Sequence, residues 1–354
     1  MQELTPDPTY ILKPDSAASL AEMPRGVIFA PDLHADVKGP STRMDNYEQT
    51  TISKLAHILD VANQELRVAV FPGDFMGRSR ISSDYLKSTI IKLMREAVFR
   101  PIIYPGNHDM ASDLLSEADS LYLLRASGAA HVQRYSGATA TIMMRCNDGS
   151  VRSVGIGGTP YGQDIPDVAG FLPPDESNPG RDPDLGLWFT HHNLPFAQHY
   201  AEQKIYGFKA IGGVHSVING HLHHATPSVR IADARGAHTT EWHNPGSVMR
   251  TKASERERTP NFGSIDPDGS IDILPLILDG GQSVFTAASG RASAPGLSAS
   301  ISAEARDRLI SGLTVTDEDD GNIGILLDEA VANNEIDLAT REWLEEIAIQ
   351  TRPA

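Results

Sequence analysis

A layered α/β fold is predicted by two features of this sequence. Over the first hundred residues, short apolar runs alternate with stretches of helical periodicity, and beyond about residue 128 the patterning becomes strand-rich. An apolar fraction of 40% over 354 residues is enough to bury a sizeable core.

The elements follow in order. Gly26 to Pro31 is a short apolar run ending in a polar loop, the signature of a buried strand that delivers Asp32 and His34 at its C-terminal end. Ile52, Leu55, Ala56, Leu59 and Ala62 keep helical spacing, and Arg67 to Phe71 is a second strand closed by Pro72-Gly73. Tyr85, Ile90, Ile91, Leu93, Met94 and Val98 predict a second helix, which Pro101 stops. Ile102-Ile103-Tyr104 then forms a third strand running into Pro105-Gly106. A third helical stretch is expected over about Ser112 to Ser127. Thr141 to Arg145 and Val151 to Ile156 flank Asn147-Asp148-Gly149, a hairpin signal. Leu185 to Thr190 and Ser216 to Asn219 are further strands, and Ser228 to Ala232 pairs with Ala237 to Trp242. Gly162 to Pro183, rich in Pro, Asp and Gly, reads as a long loop.

Composition narrows the chemistry. Cys146 is the single cysteine, which excludes an internal disulfide and any cysteine-cluster metal site and fits a reducing compartment. No run of eighteen apolar residues occurs, and the acidic stretch up to Pro24 lacks the pattern of a signal peptide, so an intracellular, cytoplasmic protein without a membrane partner is expected. The net charge of -16 is concentrated: residues 301 to 354 hold thirteen acidic residues against four arginines, or -9, leaving -7 for the rest. This tail reads as an acidic segment of short amphipathic helices that is a candidate dock for a protein partner, joined through an Ala/Ser/Gly/Pro-rich linker at 286–300.

Five polar clusters stand nearly all at predicted strand ends: Asp32-Leu33-His34, Gly73-Asp74, Gly106-Asn107-His108-Asp109, His191, and Gly220-His221-Leu222-His223. Ligands in layered α/β folds collect at the carboxyl ends of strands. Side chains two apart on an extended segment share a face, so Asp32 with His34, and His221 with His223, can enter one pocket. Carboxylate, amide and imidazole donors together suit Mn, Fe or Zn better than Ca or Mg. His192 would point opposite to His191, and the two exchange roles if the register slips by one. His224 reads as a rim residue, while His57, His131, His199, His215 and His238 read as ordinary surface or hydrogen-bonded residues.

The set resembles the calcineurin-like metallophosphoesterase superfamily, whose pattern is Asp-x-His, Gly-Asp, Gly-Asn-His-Asp/Glu, His, Gly-His-x-His. The resemblance covers about Gly26 to Arg250 and implies a four-layer αββα sandwich with two central mixed sheets. The corresponding domains are an N-terminal extension (1–25), the metallophosphoesterase domain (26–285), the linker and the helical C-terminal appendage. Carried over by position, Asp32, His34 and His223 would hold one divalent ion and Asn107, His191 and His221 the other, with Asp74 bridging and His108 beside the substrate. Two such ions roughly 3.5–4 Å apart can hold both the attacking and the leaving oxygen of an in-line displacement. Asp74, with two anionic oxygens, can bind both ions, whereas a neutral imidazole cannot. His108 is expected to protonate the leaving oxygen or to stabilise charge on the equatorial oxygens, with Asp109 orienting its ring. Arg78 is a candidate for a substrate phosphate.

Two departures from the family's protein phosphatases are visible: Gly77 replaces their aspartate, and Asp109 replaces the glutamate that ends their motif. Both shift the expectation toward diesterases and nucleases. Pro245-Gly246-Ser247-Val248-Met249-Arg250 resembles a segment found in diesterases that include SbcD-like repair exonucleases. A phosphodiester substrate is therefore expected, with DNA a candidate and scattered positive charge at Arg78, Arg80, Arg95 and Lys252 to Arg258 available to meet it. A phosphomonoester or small nucleotide is the alternative, and a non-catalytic scaffold is the alternative of another class.

Overall fold

The computed structural model describes residues 22–40, 43–173, 181–197, 199–200, 203–276, 278 and 284–285. The linker and the acidic segment expected at 286–354 lie outside the described residues, as does the N-terminal stretch before residue 22.

Strand β1 (Val27–Phe29) alternates its faces. Val27 and Phe29 enter one core and Ile28 another, so both sides of the strand are buried. Helix α1 (Tyr47–Gln64) starts where the Asn46 side chain accepts from the Gln49 amide. It packs Ile52, Leu55, Ile58, Leu59 and Ala62 against the Ile28 side of the sheet. β2 (Val68–Pro72) follows in parallel with β1. Helix α2 (Asp84–Glu96), capped by Ser83, lays Leu86, Ile90 and Met94 on the same side. β3 (Ile102–Tyr104), α3 (Tyr122–Ala126) and β4 (His131–Val132) complete the parallel part.

The second sheet holds the long hairpin β5 (Gly137–Arg145) and β6 (Val151–Thr159), then β7 (Leu185–Thr190), β8 (Ser216–Asn219), β9 (Thr226–Ala232) and β10 (Thr239–Asn244). The chain then returns to the first sheet with the hairpin β11 (Asn261–Ile265) and β12 (Ile271–Pro275). The strand orders are β12-β11-β1-β2-β3-β4 and β5-β6-β7-β8-β10-β9, and both sheets mix parallel with antiparallel neighbours.

Facing residues of the two sheets meet in one core: Val27, Phe29, Val70 and Tyr104 from the first, and Ile142, Ile156, Leu187, Phe189 and Ile218 from the second. The expected αββα sandwich is the observed architecture. Helices α1 and α2 cover the outer face of the first sheet. On the outer face of the second, Trp188, Val217 and Trp242 pack against Ile165, Leu194, Phe196 and Ile211 from irregular segments.

Two elements differ from expectation. The third helix is only five residues long, because Asp119 accepts from the amides of Ala111 and Ser116 and from the Ser116 hydroxyl, organising the preceding segment as a loop. The β11–β12 hairpin was not anticipated, although Asp266-Pro267-Asp268-Gly269 supplies its turn. Among the described residues, no helix is long and apolar enough to cross a membrane.

Candidate metal centre

All five motifs converge at the C-terminal ends of β1, β2, β3, β7 and β8, where the two sheets meet. Beyond β1 and β2 the chains stay paired through loops, with the Asp32 and His34 amides donating to the Gly73 and Asp74 carbonyls. There the backbone turns left-handed at non-glycine residues: φ is 55° at Asp32, 45° at His34, 47° at Asp74 and 75° at His221. Such conformations cost energy and persist where the surroundings over-determine them. Each turns a ligand-type side chain inward. Two glycines permit the close approach this needs: a Cβ on Gly106 would lie 2.2 Å from Asp74 Oδ1, and one on Gly220 would lie 2.2 Å from the Pro72 carbonyl oxygen.

Donor atoms of Asp32, His34 and His223 gather within 4.8 Å of one another, as do those of Asp74, His191 and His221. In the first cluster, His34 Nε2 and His223 Nε2 stand 3.2 Å apart and His223 Nε2 is 3.8 Å from Asp32 Oδ1. In the second, His191 Nε2 is 3.2 Å from Asp74 Oδ2, and Asn107 Oδ1 is 3.1 Å from His221 Nδ1. Asp74 Oδ2 also lies 3.7 Å from His34 Nε2, which places this carboxylate between the clusters.

The opposite ring nitrogens are engaged. His191 Nδ1 donates to the Pro72 carbonyl at 3.0 Å. His223 Nδ1 meets Glu255 Oε1 at 2.6 Å, and His221 Nε2 meets Gln203 Oε1 at 2.8 Å. A proton on each of these nitrogens leaves the other lone pair facing the cluster, the form a metal ligand requires.

Metal ions fit this arrangement. His191 Nε2 is buried yet makes no well-directed hydrogen bond among the described residues. Burial alone would depress the His191 ring, but the Asp74 and Asp32 carboxylates outweigh it and raise the ring to about 9, so the pocket attracts positive charge. Burial holds His34 and His221 well below the usual imidazole range, in the neutral form that binds metal. Buried carboxylates, an amide and imidazoles form a donor set suited to two transition-metal ions.

His108 is the more exposed histidine of the centre, with a donor atom that gathers with those of His34 and Asp74 within 4.8 Å. Its ring is 36% exposed, against 7% or less for the side chains of Asp32, His34, Asp74, His191 and His223. Its backbone amide donates to Asp74 Oδ1, its Nδ1 to the Gly77 carbonyl, and its Nε2 lies 3.9 Å from Asp74 Oδ2.

Asp109 does not orient that ring. It is fully buried and accepts from the Phe75, Met76 and Gly106 amides, tying the β2 loop to the β3 loop. Burial, reinforced by Asp74, raises its carboxyl to about 7. Arg78 is 61% exposed and its Nε donates to Asp36 Oδ2, so Asp36 aims it. His192 turns away from the cluster, engaging Thr190 and the Gln163 carbonyl, while His191 faces Asp74. The charge expected at 252–258 is partly turned inward. Arg258 is buried against Glu255 and the Ser247 and Met249 carbonyls, and Arg250 is buried with a bond to the Arg256 carbonyl. Glu255, Gln203 and Asp36 escaped the sequence reading. Only the acid within a basic run hinted at the first.

The sequence matches the calcineurin-like phosphoesterase family over residues 27–225. No curated protein matches it. Similar solved structures include a 5'-nucleotidase precursor from Thermus thermophilus, at 13% identity and a TM-score of 0.39, covering 72% of this chain and 54% of that one. This chain thus spans about half the length of that nucleotidase. A predicted phosphoesterase from Streptococcus pneumoniae follows at 10% identity and a TM-score of 0.26, covering 71% and 97%. A hypothetical protein from Thermus thermophilus stands at 11% identity and 0.36, covering 71% and 99%. The family match spans more than half of the sequence and contains all the clustered motifs, so this chain belongs to the calcineurin-like phosphoesterase family.

Proposed function

We propose that this chain hydrolyses phosphodiesters, with Asp32, His34 and His223 holding one divalent ion, Asn107, His191 and His221 holding a second, and Asp74 bridging. Mn is the ion we propose, with Fe or Zn as substitutes that the mixed oxygen and nitrogen donors also suit. When bound, the ions supply a water nucleophile at neutral pH and neutralise charge on the phosphoryl oxygens. The chain contributes the rest. Asp74 sets the spacing of the two positions, the left-handed turns fix the ligands before substrate arrives, and His108 delivers a proton to the leaving oxygen. One observation carries the role of His108: its ring is the exposed one beside Asp74, held through Nδ1 by Gly77 so that Nε2 is left for the substrate. Arg78, steadied by Asp36, is placed to contact a phosphate oxygen.

Within this reading, an SbcD-like nuclease and a small-diester hydrolase separate by substrate size. The inward turn of Arg250 and Arg258 favours a nucleotide-sized diester over DNA, since long nucleic acid needs a track of outward positive charge. A cytoplasmic setting rests on the single cysteine, and a docking role for residues 301–354 rests on their charge of -9.

The test is turnover of bis-p-nitrophenyl phosphate, p-nitrophenyl phosphate and linear DNA by Mn-loaded protein, with and without chelator. Chelator-sensitive cleavage of the diester is expected. Cleavage of DNA as well would restore the nuclease, and turnover of the monoester alone would overturn the diesterase reading.

A further inference from the structure

The second cluster reaches a loop that no motif marks. Gln203 lies half-buried between β7 and β8, and its Oε1 accepts from His221 Nε2 at 2.8 Å. On the other side of the same ring, His221 Nδ1 points at Asn107 Oδ1, 3.1 Å away. With a neutral imidazole, a proton on Nε2 leaves the lone pair on Nδ1, beside the Asn107 oxygen. Of the two amide oxygens, that of Gln203 is the nearer to the ring, at 2.8 Å against 3.1 Å, and a proton held there gives the form that binds a metal through Nδ1.

Gln203 is itself held from within the site. Asn193, two residues after His191 and 1% exposed, accepts from the Tyr200 amide at 3.0 Å. Its Nδ2 donates to the Tyr200 carbonyl at 2.6 Å and to the Gln203 carbonyl at 3.4 Å, and its own carbonyl receives the Tyr206 amide at 2.9 Å. Tyr200 also packs edge-on against the His221 ring, with centroids 5.1 Å apart. The strand end that presents His191 thus anchors the loop that fixes His221.

We propose that Gln203, clamped by Asn193, is the positioning residue that sets the His221 tautomer and so governs how tightly the second metal position is held. This rests on the ligand role proposed for His221 above. Removing the oxygen while keeping the volume, as in Gln203→Leu, should weaken one of two ion-binding constants about tenfold and leave the other unchanged, since partners of metal-bound histidines typically contribute about 10–100-fold in affinity.

The experiment combines chelator competition for Zn with nitrogen NMR of the histidine rings in Zn-loaded full-length protein. The His221 signal is assigned by its loss in His221→Asn. Wild type is expected to bind two ions with His221 protonated at Nε2. Gln203→Leu should show the weaker constant and a mixed His221 tautomer, Asn193→Ala should move both the same way, and Gln203→Glu, which keeps an acceptor, should restore them. Unchanged affinity and tautomer in Gln203→Leu would overturn the inference while leaving the ligand assignment intact. Fewer than two ions on wild type would instead sink the ligand assignment, and the inference with it.

Discussion

The ligands at the ends of the first sheet and those at the ends of the second are held by different means. Asp32, His34 and Asp74 sit in short loops directly after β1 and β2, and what shapes them is backbone: left-handed turns, paired amides and Gly106. His221, whose backbone is also left-handed, and His223 are engaged in addition by the side chains of Gln203 and Glu255. Both halves need the assembled sheets, but backbone contacts dominate the first and side-chain contacts the second.

The sharpest break should come on the backbone-shaped side. Asp74→Asn is expected to lower kcat on a diester by about a thousandfold and to leave fewer than two ions bound by elemental analysis, because Asp74 lies between both clusters. His108→Ala should cost about a hundredfold or more in kcat while retaining both ions. A loss of metal in that variant would show that His108 is a ligand. Gly106→Ala puts a methyl group 2.2 Å from Asp74 Oδ1, and thermal unfolding should register a loss of about 1–3 kcal/mol. On the side-chain-supported half, Glu255→Gln keeps an acceptor for His223 but removes its charge, so chelator competition should report an affinity about tenfold lower. Equal stability and metal affinity in all four proteins would erase the distinction between the halves. The smallest effect belongs to Arg78→Ala, expected to raise KM a few-fold at constant kcat, since the exposed guanidinium touches no other element of the centre than Asp36 in the described contacts.

What was legible in the sequence follows the same division. β1, β2, β3, β7 and β8 were visible because apolar runs buried on both faces end abruptly in polar, glycine-containing motifs. The ligand-type residues at those ends were visible for the same reason. Glu255 was not, because nothing in Lys252-Ala253-Ser254-Glu255-Arg256 shows that this carboxylate will meet His223, thirty-two residues earlier. The same blindness turned Arg258 into surface charge, when it is buried against Glu255 and two carbonyls. Asp109 misled in the other direction. Adjacency to His108 suggested a partner for the ring, but successive side chains in a turn diverge, and three backbone amides claimed the carboxylate. The short third helix was lost to Asp119, whose side chain competes for amides that a helix would have used.

The seam between the sheets has a mechanical meaning. Asp32, His34 and Asp74 hang from one sheet and His191, His221 and His223 from the other, so any ion shared across them would tie two layers that otherwise meet through apolar contact and a few hydrogen bonds such as His191 to the Pro72 carbonyl. A chain with one cysteine has no internal disulfide, and coordination at the proposed centre would take that place. Ligand binding to the native state alone adds RT ln(1 + [L]/Kd), about 2.7 kcal/mol at a hundredfold excess over Kd. Stripping the ions should therefore let the sheets part more readily, and a protease should cut the stripped protein faster than the loaded one, even where the two have the same secondary structure.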